Sequence, residues 1–122
     1  MKVTRILHHS INVEGRLDEA ADFYSTVVGL PSTPRPEIPG VAGRWFELGD
    51  AQLHLVDAPA GAGPIRPTGP HVCLAVDDLE AAVAELATLG IQTVRGAQGP
   101  VVQIWFVDPL GHTIELQQET RA

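Results

Sequence analysis

The 122-residue sequence predicts an α+β fold made of two tandem copies of one strand, helix and strands unit, packed against each other. Three observations carry that expectation. The chain repeats itself: His8-His9-Ser10-Ile11-Asn12-Val13 is matched by His71-Val72-Cys73-Leu74-Ala75-Val76, and Trp45-Phe46 by Trp105-Phe106, at an offset that drifts only from 63 to 60. Apolar and polar residues alternate with the strand period of two in some segments and recur at helical spacing in others. Each copy is about 60 residues, a length that leaves an isolated core marginal, so the copies are expected to share one.

Ile6, His8, Ser10 and Asn12 alternate with Leu7, His9, Ile11 and Val13, which predicts the first strand. Asp18 to Val28 is acidic at its start, alanine-containing, and followed by Gly29-Leu30, which predicts a helix. Pro31, Pro34, Pro36 and Pro39 mark a loop. Arg44 to Leu48 and Ala51 to Val56 then read as strands. Pro59, Gly61, Gly63, Pro64, Pro67 and Gly69 mark the connection between copies, which divides a single domain spanning 1–122 into a module of about 1–58, a linker of about 59–69 and a module of about 70–122. The second copy opens with the strand that starts at His71, and a helix is expected over Asp78 to Leu89, where Val83, Leu86 and Leu89 share a face. A weak strand from Ile91 to Arg95 follows, then strands over Val101 to Val107 and Thr113 to Gln117 joined by a turn at Asp108-Pro109-Leu110-Gly111.

Composition excludes several function classes. Eight Lys and Arg against fifteen Asp and Glu give a net charge of −7, and the basic residues are scattered, so neither nucleic acid nor an anionic membrane surface is an expected partner. No apolar run reaches the length of a signal peptide core or a membrane span, which makes a soluble cytoplasmic protein the default expectation. The one cysteine, Cys73, lies between Val72 and Leu74 and reads as a small buried hydrophobe.

The repeat also aligns four metal-capable side chains. His8 matches His71 in the first strand of each copy, and His54 matches Glu115 in the last. A lone strand histidine is ordinarily a hydrogen-bonded core or surface residue, but four coincident positions in a duplicated frame point to a shared site. Three imidazoles and a carboxylate suit one borderline divalent transition metal, nickel, zinc, cobalt, iron or manganese, with coordination positions left for water or substrate. If His8 faces the site, His9 faces away and is expected to pack against the helix; whether His9 takes the place of His8 is left open at this point. His112 is expected to be exposed. Strand alternation places Ser10 and Asn12 on the face of His8, Gln52 on that of His54, Cys73 on that of His71, and Thr113 and Gln117 beside Glu115. Trp45, Gln103 and Trp105 lie on neighbouring strands and either line the same pocket or fill the core.

These residues resemble the vicinal oxygen chelate superfamily, which includes glyoxalase I, methylmalonyl-CoA epimerase, extradiol dioxygenases, fosfomycin-resistance transferases and bleomycin-resistance proteins. The resemblance runs along essentially the whole chain. It is carried by Leu7-His8 with Val13, by Phe23-Tyr24 to Gly29-Leu30, by Gly49 to Leu55, by Pro70-His71-Val72 with Val76 to Leu79, and by Phe106 to Pro109 with Gly111 and Ile114-Glu115-Leu116. It implies two βαβββ modules around a metal cleft, with His8, His54, His71 and Glu115 at the four ligand positions. It also implies a homodimer whose sites are completed by strands of both subunits.

The family device is a metal that binds neighbouring substrate oxygens and stabilises an enediolate, an oxyanion or an activated oxygen. The extradiol dioxygenases resemble a pattern that lacks a ligand at the His54 position, so a filled position favours lyase or isomerase chemistry by proton transfer on a small oxygenated carbonyl compound, with Glu115 or His54 as the acid–base group. The alternatives are an iron-dependent ring-cleaving dioxygenase and a non-catalytic protein that binds a small molecule such as an antibiotic. Asn12 stands where the glyoxalases carry an arginine for glutathione, which disfavours a glutathione adduct as substrate. A phosphonate pocket of the fosfomycin kind would have to draw on Arg35, Arg44 and Arg66, whose plain reading is solvated surface charge.

Overall fold

In the computed structural model, which describes residues 1–59, 65–107 and 112–121, eight strands form one continuous sheet. The first half comprises β1 (Val3–Asn12), α1 (Leu17–Asp22), β2 (Ser32–Thr33), β3 (Gly43–Leu48) and β4 (Ala51–Val56). The second comprises β5 (His71–Val76), α2 (Leu79–Thr88), β6 (Val94–Gln98), β7 (Val101–Val107) and β8 (Thr113–Gln118). Each half is therefore a βαβββ unit, and the fold is α+β as expected. Strand order is β2-β3-β4-β1-β5-β8-β7-β6: the opening strand of each unit pairs in parallel with its own last strand, and the two opening strands meet antiparallel at the centre. Among the described residues, no helix is long and apolar enough to cross a membrane.

The two helices differ in regularity for reasons readable in their residues. Asp78 caps α2 by accepting the Ala81 N–H at 3.0 Å, and Leu79, Ala82 and Leu86 bury one face against Val76, Ile104 and Leu116. The first helix, expected to run regularly to Val28, is α-helical only to Asp22 and continues as a π-helical turn over Phe23–Val27. Three β-branched residues in a row, Thr26 to Val28, favour helix poorly, and the Thr26 hydroxyl donates to the Asp22 carbonyl at 2.6 Å. The wider turn lets Val28 N–H reach Phe23 O, while Tyr24 packs toward Phe46.

Three local expectations shift. The short pairing of Ser32 and Thr33 with Phe46 and Trp45 arises inside the proline-rich stretch read as loop. The weak strand expected at Ile91 to Arg95 begins instead at Val94 and runs to Gln98, its register set by pairing with Val101–Trp105. His9 is exposed rather than packed on a helix, whereas His112 is exposed as expected. The turn at 108–111 and part of the linker, 60–64, lie outside the described residues.

The end of β8 is tied back to β1 by Glu119, which accepts from Thr4 Oγ1 at 2.7 Å and from Arg5 Nε at 3.0 Å. The Arg5 guanidinium, with the Thr4 hydroxyl and the Arg121 N–H, lowers the Glu119 carboxyl from 4.5 to about 2. A depressed carboxyl contributes stability above its unfolded value, and that contribution is lost as pH falls through its folded value. A Glu119→Gln protein is thus expected to melt below the native chain at pH 6, with the gap closing as pH approaches 2. A gap that stayed constant in melts across that range would show that the ion pair is not its source.

Candidate metal centre

Register explains how four donors distant in sequence meet. Cα partners across the central strands form two adjacent rows: Gln52, His8, Cys73 and Glu115 in one, His54, Ser10, His71 and Thr113 in the next. The duplication interchanges the rows, so each contains two donors and one small central residue, Ser10 or Cys73. Beyond the donors, Trp45 pairs with His54 and Trp105 with Glu115, again at equivalent places. In the last strand of each unit the residue after the donor, Leu55 or Leu116, is fully buried in the hydrophobic core that includes its own unit's helix. One alternation therefore builds core and site together.

Three donors converge tightly. His8 Nε2 lies 2.9 Å from His71 Nε2, and Glu115 Oε1 lies 3.2 Å from the first and 3.1 Å from the second. Neither imidazole makes a well-directed hydrogen bond to Oε1, which is a buried acceptor without a donor. The His71 tautomer follows from its other nitrogen: Nδ1 is 2.8 Å from the Gly69 carbonyl, which can only accept, so Nδ1 carries a proton and Nε2 is the nitrogen with the lone pair whenever the ring is neutral. Ser10 Oγ stands 3.1 Å from that Nε2. On the other side of the carboxylate, Oε2 accepts from Gln117 at 2.7 Å and Gln103 at 3.2 Å.

His54 stands beside this cluster. Its ring stacks on Trp45 with centroids 3.9 Å apart and on His8 at 4.0 Å, and its Nε2 meets Gln52 Oε1 at 2.8 Å. Burial lowers the pKa of His54 to about 2, reinforced by His8, His71 and Arg35 and opposed by Glu115. Burial likewise lowers His8 against the pull of Glu115. Burial would raise the Glu115 carboxyl, but the adjacent His71 and His8 nitrogens and the Gln117 amide outweigh it and hold the group ionised. The lowered His8 and His54 and the ionised Glu115 are in the protonation states a cation requires of its ligands. The unpartnered Oε1, the converging nitrogens and the carbonyl-oriented His71 together fit a divalent transition metal.

The donors open onto a cavity of about 1040 Å³. Ser10, Gln52 and Gln117 line it, and so do Trp45, Gln103 and Trp105, which the sequence left open between pocket and core. Asn12 does not: its amide donates to the carbonyls of Ala58 at 3.0 Å and Thr68 at 2.7 Å, so it fastens the end of β1 to the chain between the halves. Thr113 Oγ1 accepts the Arg66 N–H and also lies off the cavity wall. Cys73 is fully buried within 4.8 Å of the donor atoms of His8 and Glu115, and its thiol pKa is raised by burial and by Glu115. The loop from Arg35 to Val41 supplies much of the opposite wall, and no periodicity in that proline-rich stretch announces it. All four donors of this cluster belong to one chain.

Two βαβββ units thus share one sheet, with four side chains that could hold a metal at their junction and a cavity above them. The chain belongs to the Glyoxalase/Bleomycin resistance protein/Dioxygenase superfamily, whose family description matches residues 5–116. It is 31% identical to the mitochondrial methylmalonyl-CoA epimerase of Mus musculus, over 96% of this chain and 74% of that protein. It is 28% identical to "Glyoxylase I 4" of Arabidopsis thaliana, over 95% of this chain and 71% of that protein. Its structure matches the 2,3-dioxygenase LapB of Pseudomonas sp. KL28 with a TM-score of 0.73 and 26% identity, over 98% of this chain but 42% of that one.

Proposed function

We propose that the protein is a divalent-metal-dependent lyase or isomerase that moves a proton at the carbon beside a carbonyl in a small oxygenated substrate. The observation that carries this reading is the convergence of His8, His71 and Glu115 around a buried acceptor without a donor, on the wall of a cavity sized for a small molecule. His8, His54, His71 and Glu115 would hold the metal, which when bound supplies Lewis-acid polarisation of neighbouring substrate oxygens and so acidifies the intervening C–H. The glyoxylase and the epimerase, matched over nearly the whole of this chain, support proton transfer over oxygen chemistry.

The chain's own residues supply the rest. Glu115 is the group that would exchange a proton with substrate, and His54 could do so only on leaving the metal. Gln117 and Gln103 fix the carboxylate through Oε2, leaving Oε1 turned to the cluster. Trp45 holds the His54 plane by stacking, and Gln52 holds its Nε2. Trp105, edge-on to His71 with centroids 4.9 Å apart, closes the other side against water.

Elemental analysis of protein purified without added metal is expected to find about one divalent transition metal per chain, lost in a His71→Ala protein. The loaded protein is expected to exchange C–H for deuterium in D2O on hydroxyacetone or related compounds, followed by proton NMR. Oxygen uptake with catechols in place of exchange would reassign it as a ring-cleaving dioxygenase, and small-molecule binding indifferent to chelation would make it a binding protein.

A further inference from the structure

Arg35, on the loop between β2 and β3, is held in a manner unlike a solvated surface charge. Its Nη2 donates to the Val41 carbonyl at 2.8 Å. Its guanidinium lies against the backbone of Gly43, where a Cβ would come within 2.9 Å of Nε and 3.2 Å of Cζ. Nε is buried and has no acceptor. The other arginines with ion pairs among the described residues, such as Arg5 with Glu119 and Arg44 with Asp18, point their charge at a carboxylate; Arg35 makes no such pair there. Arg35 nonetheless lines the same cavity as the four donors, close enough for its charge to be felt at His54.

A partly desolvated cation with an unmade hydrogen bond costs stability unless something supplies the missing counter-charge. We infer that a carboxylate of the substrate supplies it, so that the substrate of this cleft carries two functions: neighbouring oxygens at the donor cluster and a carboxylate at Arg35. A carboxylate matches better than a phosphate, because one guanidinium with a nitrogen already committed to Val41 balances a monoanion and not a dianion. Arg5, the other arginine on the cavity lining, is already paired with Glu119 and so supplies no second free cation there. This assignment rests on the reading of the donors as a metal centre, yet its test separates the two.

The probes are 2-oxoglutarate and 2-oxohexanoate, which share a 2-oxo acid head and differ in whether the far end is a carboxylate or an alkyl group. Binding is read by calorimetry and by quenching of Trp45 and Trp105 fluorescence, in metal-loaded and in chelator-treated protein. The native chain is expected to prefer 2-oxoglutarate by about tenfold or more. Arg35→Met is expected to abolish the preference, and Arg35→Lys to restore part of it, since an ammonium keeps the charge without the planar fork. Melting curves of both variants confirm that they fold. A metal-loaded native protein with no preference, or a preference unchanged in Arg35→Met, overturns the assignment and leaves the metal reading standing. A preference that depends on Arg35 in protein unable to bind metal upholds the assignment and sinks the metal reading. Tighter binding of inorganic phosphate than of 2-oxoglutarate, lost in Arg35→Met, overturns the choice of carboxylate.

Discussion

A Glu115→Gln protein is expected to bind a divalent transition metal at least about a hundredfold more weakly than the native chain, and to lose metal-dependent turnover with it. Glutamine keeps the shape of the side chain, and its carbonyl can still accept from Gln117 and Gln103 in the place of Oε2. The change falls on the other atom. An amide nitrogen in the place of Oε1 would stand about 3 Å from His8 Nε2 and His71 Nε2 and could donate to their lone pairs. The substitution therefore removes the only anionic donor and satisfies the nitrogens that the cation needs. Folding without metal should survive, while the rise in melting temperature on adding metal, worth about 2.7 kcal/mol at a hundred times the dissociation constant, should vanish. Metal titrations with paired melting curves check both halves. A variant that kept native affinity would remove Glu115 from the ligand set.

The reason this site was visible in the sequence, and its far wall was not, lies in how each is built. His8, His54, His71 and Glu115 sit on strands, where a period of two and a repeat at nearly constant offset fix both face and row; register then turns equivalence in sequence into proximity in space. The same logic placed Ser10 and Gln52 on the cavity but misjudged Asn12 at the strand's end, where fastening the inter-module segment outweighs alternation. Arg35 belongs to a stretch with no period at all. Its role depends on Val41 and on the bare backbone of Gly43, contacts that only the folded loop creates. The π-helical turn after Asp22 is of the same kind, because helix spacing is preserved closely enough across it to read as one regular helix.

In β4 and β8 the alternation that aims a donor at the cleft makes the next residue a core residue, and this allows a comparison between the halves. Leu116→Ala is expected to cost about 2–5 kcal/mol, a large share of the roughly 5–15 kcal/mol that stabilises a domain. Leu116 is fully buried among Val76, Leu79, Ala82, Leu86 and Ile104, where the capped helix α2 holds the walls of the vacated space apart. Leu55→Ala removes the equivalent side chain under a helix that buries only Leu17 and then loosens into a π-helical turn. Half-buried Tyr24 and Leu30 can move into that space, so its cost should fall at the low end of the same range. Because one sheet joins the halves, both variants should still unfold in a single transition in urea. Excess metal should recover part of the loss in each, since His54 and Glu115 are the neighbours of the substituted leucines and a bound ion would tie β4 and β8 to the centre of the sheet. A Leu55→Ala protein less stable than Leu116→Ala, measured without metal, would mean that the first helix is the firmer of the two and that its irregular turn does not soften the core beneath it.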